Sequence, residues 1–403
     1  MRKHLQNIAL LVCAIIFSAV LCEGIFYFLN WLSPPLREIE TTEGEPFQEW
    51  LDVVQYHPIY GHAGLPNVKE TFYGKSITHN SKGFRGPEVD YRKPEGIKRV
   101  VFIGDSQTWG WAVSDEETIP HFAGRMLNER TNGAAYEVVN LGVTGYCIGQ
   151  SYLLFLAEGL QYDPDYVVLT FFADNDIWGT STMKAWGVEK PYVFEKADGG
   201  LCVSNVPPKR ASGWPSDNLG YIIENSFNLE RLRIVLPGFE FDLTETQTFA
   251  YFKSRSINTS LINISDGDGN SVMEAIVENI GCVKSEPGPA RATPEEQVGL
   301  VVKIVNEIRT MVERRGGKFY VVTKPTKEDY ERNRLRNDYQ LVLARLRQLG
   351  IEVVDMFTVA KEKGMTKEQL FIDYGHLSVG GNNLIAESVV EKIVSVETAA
   401  TSM

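Results

Sequence analysis

The sequence is poor in cysteine and lacks the common metal-binding patterns. Five cysteines are spread over 403 residues, and neither Cys-x-x-Cys nor His-Glu-x-x-His occurs. A zinc site is therefore not predicted, and no metal or other cofactor is expected. Basic residues are also in deficit, with 40 Lys+Arg against 52 Asp+Glu and a formal net charge of −12. Because nucleic-acid binders present basic surfaces to phosphate, nucleic acid is not an expected partner.

One long apolar run lies at the N-terminus. Residues 8–22 contain no charge, and after a Glu-Gly pair the mostly apolar character continues over residues 25–32. About 25 such residues are enough to cross a bilayer core of roughly 30 Å. Arg2 and Lys3 precede the run, whereas the residues after it are rich in glutamate. By the positive-inside rule we expect residues 1–33 to form an uncleaved signal anchor, a single transmembrane helix. The alternative is a cleavable signal peptide.

This topology places the rest of the chain outside the cytoplasm, in the periplasm or at the cell surface. Cys147, Cys202 and Cys282 would then lie in an oxidising compartment, where disulfides form. Three cysteines leave one unpaired, and Cys202–Cys282 is one candidate pair. We expect Cys147 to be a small buried residue.

Strands and helices alternate from Arg99 onward, after an irregular lead-in over residues 34–97. We predict strands at 100–103, 136–141, 166–172, 319–323 and 351–355, and helices at 116–129, 151–159, 294–315, 330–349 and 379–394. This pattern predicts an α/β fold, a three-layer α/β/α sandwich around a flavodoxin-like five-stranded parallel sheet of order 2-1-3-4-5. Residues 98–403 would form one domain, with a large insertion at about 179–290 that shows no sustained period.

Polar residues follow four of the predicted strands. Gly104-Asp105-Ser106 follows the first strand, and a Gly142 to Gly145 segment follows the second. Asn175 comes after the third strand, and Asp373 to His376 comes after the fifth. Ligands of open parallel sheets bind at the carboxyl ends of the strands, so we expect these residues to lie together.

Ser106 is a candidate nucleophile because a serine hydroxyl becomes reactive when a neighbouring base takes its proton. Histidine suits that role, since the pKa of imidazole is near neutrality. Of the six histidines, only His376 follows the final strand. Asp373, three residues earlier, is close enough to orient the imidazole in a Ser-His-Asp triad.

In order and placement these blocks resemble the SGNH (GDSL-like) hydrolase superfamily, over about residues 98–178 and 294–392. The resemblance implies that Ser106 is the nucleophile, that His376 is the general base and that Asp373 is its orienting acid. It also implies an oxyanion hole made by Ser106, Gly145 and Asn175, with Gly142 as a competing choice for the glycine. Two positions depart from the family pattern: Ala173 stands for a glycine, and Gln107 stands where leucine is frequent.

For four other residues near these blocks, a structural role is an alternative to a role in the reaction. Asp105 is expected to hold the nucleophile turn rather than to transfer a proton. Asp176 is expected to bond a loop or to cap a helix. Trp109 and Trp111 either line an acyl or sugar pocket or pack in the core.

The sequence therefore predicts a membrane-tethered serine esterase that hydrolyses acyl or acetyl esters outside the cytoplasm. Its substrate would be an ester-bearing small molecule, a lipid or an acetylated glycan. The same chemistry on another acceptor gives the alternative of an O-acetyltransferase or deacetylase acting on envelope polysaccharide. A non-catalytic binding protein on this fold is the third interpretation.

Overall fold

The computed structural model describes residues 50, 52–131, 135–185, 188–208, 268–284 and 293–401. All of them belong to one compact unit formed by residues 49–210 and 263–403. The predicted anchor at 1–33 and much of the insertion lie outside the described residues. Within the described ranges, no helix is long and apolar enough to cross a membrane.

Among the described residues, the strands form a central sheet and four small hairpins. In chain order they are β1 (Val54–His57), β2 (Gly61–Gly64), β3 (Lys69–Phe72), β4 (Lys75–Thr78), β5 (Ile97–Gly104), β6 (Ala135–Gly142), β7 (Tyr166–Phe172), β8 (Lys184–Ala185), β9 (Val188–Glu189), β10 (Tyr192–Glu195), β11 (Leu201–Ser204), β12 (Lys318–Lys324) and β13 (Glu352–Asp355). The pairs β1–β2, β3–β4, β8–β9 and β10–β11 are antiparallel.

The central sheet is parallel throughout and has the order β13-β12-β7-β5-β6. Numbered along the chain, these five strands have the order 2-1-3-4-5, so the predicted flavodoxin-like sheet is confirmed. The carboxyl ends of β5 and β7 lie next to each other in its middle, which brings the segments after these strands together.

Helices cover both faces of the sheet. They are α1 (Ser106–Trp109), α2 (Ile119–Arg130), α3 (Ile148–Ala157), α4 (Ala173–Thr180), α5 (Asp268–Ile280), α6 (Pro294–Arg314), α7 (Lys327–Glu331), α8 (Asn337–Gln348), α9 (Met356–Glu362), α10 (Lys367–Leu370) and α11 (Val379–Thr401). Short 3₁₀ turns lie at Asp115–Glu117 and Gly159–Tyr162.

Alternate residues of each strand enter different cores. Val101 and Ile103 of β5 pack in one apolar cluster with α3, α6 and α8, whereas Val100 and Phe102 pack in a second cluster with α2 and α11. All seven residues of β7 are buried. This explains why its sequence is apolar without alternation, and why its predicted bounds agree with the structure.

The helix predicted over 330–349 is two helices, α7 and α8. Asn333 between them has a positive φ of 51°, which ends the first helix. The Asp329 carboxylate accepts the backbone N–H of Arg336 and so fixes the start of the second. Residues 331–336 contain neither glycine nor proline to mark this break, and for that reason the sequence did not reveal it.

The segment predicted to be an irregular lead-in contains β1 to β4 and is part of the domain core. Ile59, Tyr60 and Phe84 belong to the same apolar cluster as the central sheet. Its four-residue strands are too short to show an alternation along the sequence. The lead-in is therefore not a spacer in the part that the structure describes.

The candidate disulfide is present. Cys202 of β11 is bonded to Cys282, which follows α5 and lies 80 residues later in the sequence. Cys147 is a free, buried cysteine, in agreement with the expectation for it.

Candidate active site

Ser106 lies on a sharp turn between β5 and α1. Gly104 has a φ of 151°, and a Cβ atom there would lie 2.5 Å from Thr108 Oγ1, so only glycine fits the turn. Asp105 caps α1, because its Oδ1 atom accepts the backbone N–H of Gln107 at 2.9 Å. The turn thus places Ser106 at the carboxyl end of β5, as expected from the Gly-Asp-Ser block.

His376 contacts both residues that were predicted to be its partners. Its Nε2 atom is 3.1 Å from Ser106 Oγ, and its Nδ1 atom is 2.9 Å from Asp373 Oδ2. The other carboxylate oxygen, Asp373 Oδ1, accepts the backbone N–H groups of Gly375 and His376 at 2.8 and 2.6 Å. The three predicted triad residues therefore form one hydrogen-bonded series at the carboxyl edge of the sheet.

Asp373 is held in its ionised form. Burial raises the pKa of its carboxyl, but the hydrogen bond and charge of His376, with the two backbone N–H groups, outweigh burial and lower the pKa to about 2. With the carboxylate as acceptor, the Nδ1 atom of His376 carries a hydrogen and Nε2 faces the serine hydroxyl.

Gln107 joins the segments that carry Ser106 and His376. Its Nε2 atom donates to the carbonyl oxygen of Gly375 at 3.1 Å, beside His376. This contact was not predicted. The only signal for it in the sequence is that Gln107 replaces the leucine of the family pattern with a side chain that can donate a hydrogen bond.

The two candidate glycines, Gly142 at the end of β6 and Gly145 after it, differ in whether their backbone N–H group is available as a donor. The N–H of Gly142 donates to Asn140 Oδ1 at 2.9 Å and is therefore engaged. Among the described residues, the N–H groups of Ser106 and Gly145 have no acceptor. Gly145 also has a φ of 80°, a conformation that favours glycine. Of the two glycines considered, the geometry favours Gly145 as a donor.

Asn175 lies between the nucleophile turn and the segment after β6. Its Nδ2 atom donates to Asp105 Oδ2 at 3.0 Å and to the carbonyl oxygen of Tyr146 at 3.1 Å. Reversing the amide would place its oxygen against two other oxygens, so this orientation is the stable one. Both amide hydrogens are engaged, and donation to an oxyanion requires that one of these bonds be shared or exchanged.

Two buried carboxyls lie behind the site. Burial raises the pKa of Asp105 against the opposing effects of the Gln107 N–H, the Asn175 amide and the charges of Lys324 and His376. Burial, followed by the charge of Asp105, raises the pKa of Asp176, whose Oδ2 atom accepts the Phe172 N–H at 2.7 Å. Neither contacts His376 by a hydrogen bond, which agrees with the structural roles expected for both.

The two tryptophans of the nucleophile loop differ in their surroundings. Trp109 is buried beneath Arg85, and its Nε1 atom donates to His79 Nε2 at 2.9 Å. Trp111 lies with its ring stacked on the imidazole of His376. Trp109 thus packs in the core, whereas Trp111 contacts His376.

The segment from β1 to Arg85 supports the site, a role that the sequence does not predict. Arg85 donates to the carbonyl oxygens of Trp109, Gly110 and Val113 and pairs with Asp115. His62 Nε2 is 2.9 Å from the carbonyl oxygen of Thr144, next to Gly145. These contacts join residues 24 to 82 positions apart, and a single sequence carries no local signal for them.

A serine hydroxyl, an imidazole and a carboxylate in hydrogen-bonded series, at the carboxyl edge of a parallel sheet, is the arrangement of the serine hydrolases. Residues 102–249 match the model of the GDSL-like lipase/acylhydrolase family. The chain thus carries a GDSL-like domain and is an ester-hydrolysing enzyme, and the predicted resemblance is confirmed. The match includes Ser106, Gly145 and Asn175 and ends before Asp373 and His376.

No curated protein matches the chain. Solved structures with a similar fold include an α/β hydrolase enzyme from the metagenome of Lake Arreo, Spain (13% identity, 75% of this chain and 96% of that chain, TM-score 0.38). Others are an acetylxylan esterase from Geobacillus stearothermophilus (13%, 73% and 94%, 0.37) and a two-domain esterase active on acetylated mannans (11%, 75% and 50%, 0.38). At identities and TM-scores this low, neither substrates nor residue roles can be inferred for this chain from these structures.

Proposed function

We propose that the protein is a serine esterase in which Ser106, His376 and Asp373 act as the catalytic triad. The observation that carries this proposal is the continuous series from Ser106 Oγ to His376 Nε2 at 3.1 Å and from His376 Nδ1 to Asp373 Oδ2 at 2.9 Å. A structural hydrogen bond of Ser106 would not need an imidazole whose second nitrogen is fixed by a carboxylate.

In the first half of the reaction, Ser106 Oγ attacks the ester carbonyl carbon while its proton passes to His376 Nε2. The tetrahedral oxyanion then lies near the backbone N–H groups of Ser106 and Gly145, with Asn175 as a third donor if its bond to Asp105 or Tyr146 is shared. Collapse of this intermediate breaks the ester C–O bond. The imidazolium returns its proton to the leaving alcohol, and an acyl-serine remains.

In the second half, water attacks the acyl-serine and His376 takes the proton of that water. The acid is released and the proton returns to Ser106 Oγ. If a sugar hydroxyl replaces water, the same steps transfer the acyl group to the sugar, so hydrolysis and O-acetyl transfer differ only in the acceptor. We take hydrolysis of acyl or acetyl esters as the reaction, with glycan-borne acetyl groups among the candidate substrates.

We further propose that the reaction takes place outside the cytoplasm. The apolar run at residues 8–32, with Arg2 and Lys3 before it, supports an N-terminal anchor. The Cys202–Cys282 disulfide supports an oxidising compartment.

Covalent labelling tests the catalytic proposal. A fluorophosphonate should label Ser106, and Ser106→Ala should abolish both labelling and cleavage of p-nitrophenyl acetate while the protein stays folded. Ser151 is a buried serine on α3, and Ser151→Ala is the matched control. This variant protein should still be labelled at Ser106. Full esterase activity in Ser106→Ala, or label on another serine, would overturn the mechanism. Product analysis with and without added glycan would distinguish hydrolysis from transfer.

A further inference from the structure

Trp111 makes an aromatic contact with the residue that the proposed function assigns as the general base. The ring centroids of Trp111 and His376 are 4.7 Å apart and their planes are inclined by only 13°, so the indole lies flat on the imidazole. Trp111 is 8% exposed, and this contact is thus part of the packed interior rather than of a mobile surface.

The stack restrains the imidazole in a direction that its hydrogen bonds leave free. The bonds to Ser106 Oγ and Asp373 Oδ2 run from the two ring nitrogens and fix the ring within its own plane. Rotation of the ring about the line through its two nitrogens stretches neither bond, and the indole that lies flat on the ring opposes this rotation. From these contacts we infer that Trp111 is a positioning residue for His376, an inference that rests on the proposed function.

The N-terminal hairpin β3–β4 holds the indole in place. The ring of Phe72 meets Trp111 edge-on at 4.7 Å and 85°, and the ring of Tyr73 lies at 5.4 Å. Phe72 is fully buried. On the backbone side, the N–H of Trp111 donates to the carbonyl oxygen of Ser106 at 3.0 Å. The indole is therefore fixed from both sides before any substrate binds.

Arg85 fixes the same loop on either side of Trp111. Its guanidinium donates to the carbonyl oxygens of Gly110 and Val113, which flank the tryptophan along the chain. Ala112 next to it has a positive φ of 53°, a conformation that a non-glycine residue adopts at a cost. The contacts of Arg85 and of the β3–β4 hairpin offset this cost. The strained loop in turn sets the position of Trp111.

The indole also favours the charged form of the base. When His376 takes the proton of Ser106 it becomes an imidazolium, and a cation over the face of tryptophan within about 6 Å is stabilised. The charged groups around the imidazole are Asp373, which is hydrogen-bonded to it, and Asp105, with Lys324 acting on Asp105 from β12. Trp111 contributes through the face of its ring and carries no charge of its own.

Two substitutions of Trp111 test this inference by a pH profile. The kcat and KM for p-nitrophenyl acetate would be measured from pH 5 to 9 in the full chain carrying Trp111→Leu or Trp111→Phe. Without the indole the imidazole releases its proton more readily, so in Trp111→Leu the acid limb of kcat/KM should move to lower pH by about 0.4 to 1.5 units. Its kcat should fall about tenfold or more with little change in KM, and Trp111→Phe should recover part of both effects.

Trp109→Phe is the matched control, since Trp109 meets the same Phe72 ring at 5.1 Å but contacts His79 rather than the base. It should leave the midpoint of the acid limb where it is, whatever it does to stability. Rates would be normalised to the sites that fluorophosphonate labels, so that unfolded protein does not count. If Trp111→Leu does not fold, Phe72→Ala, which frees the indole without removing it, should give a smaller kcat.

An unchanged midpoint and kcat in Trp111→Leu would overturn the inference, as would equal shifts in the Trp109 control. An unchanged kcat in a folded Phe72→Ala would remove the role of the hairpin. Failure of the proposed function would appear differently, as full activity in Ser106→Ala.

Discussion

At the scale of single residues, the hydrogen bond between Asp373 and His376 gives the sharpest test of whether the proposed triad is catalytic. The pKa of Asp373 is about 2, which lies below its unfolded value, so this carboxylate stabilises the fold above about pH 4 and loses that effect as the pH falls toward 2. Throughout the neutral range it is therefore ionised and orients the imidazole.

We expect Asp373→Asn to keep the fold and to lower kcat by about 10⁴, because the amide favours the wrong imidazole tautomer. His376→Ala should lose a similar factor, and the double variant little more, since residues that act as a unit are non-additive. Ester-cleavage rates of the three variants measure this, with the exposed Asp90→Asn as control. Multiplicative losses would mean that Asp373 and His376 act independently.

At the scale of elements, the segment from β1 to the residue after β4 contains three histidines that cannot easily accept protons. Burial lowers the pKa of the first, His57, to about 3. Burial lowers the pKa of His62 and of His79 to about 4, even though the backbone bonds to Thr144 and Leu65 act in the opposite direction. Between about pH 6.5 and 4 the unfolded chain binds protons at these residues that the folded chain does not. The free energy of unfolding therefore falls as the pH falls through this window.

Urea unfolding followed from pH 7 to 4 should show this loss, at up to about 1.4 kcal/mol per pH unit for each histidine. His79→Gln should flatten the dependence, although the loss of its bonds lowers the stability at pH 7. His121→Gln, an exposed residue of α2, should leave the dependence unchanged. If the unfolding free energy of the parent is constant over this window, the buried histidines are not the cause of acid sensitivity.

The elements differ in how much of them could be predicted from the sequence. β7 was predicted to the residue, because a strand buried on both faces is a continuous apolar run. The contact of His376 with Ser106 and Asp373 was predicted from the positions of these residues after strands, and their catalytic roles remain a prediction. The contacts of Arg85, His62 and Phe72 with the site could not be predicted, because they arise between short strands and distant loops, and neither spacing nor periodicity records such contacts.

At the scale of the whole molecule, the disulfide closes a long stretch of chain. Cys202 and Cys282 are 80 residues apart, and residues 209–267 of that stretch lie outside the described part. In the chain-entropy account, closing a loop of this length stabilises the folded state by about 4 kcal/mol. The disulfide thus links β11 to the end of α5 at a position far along the chain.

We expect replacement of both cysteines by serine to lower the unfolding free energy by about 4 kcal/mol, and a reductant to have the same effect on the parent but none on the variant. In cells that make the full chain, thiol trapping should modify Cys202 and Cys282 only after reduction if the domain lies outside the cytoplasm. Ready modification of both without reductant would contradict the proposed compartment.

The hydrogen bond between Ser106 and His376 spans 270 positions of the sequence. Contacts between residues far apart in the sequence form slowly, because closing the loop between them costs conformational entropy. Ser106, the hairpins around it and the segment after β6 are all synthesised well before His376. A chain still short of residue 376, whether on the ribosome or in transit through a membrane pore, therefore has Ser106 but not the imidazole that contacts it. Under the proposed mechanism, Ser106 becomes reactive only after residues 373–376 have been made and have folded against it.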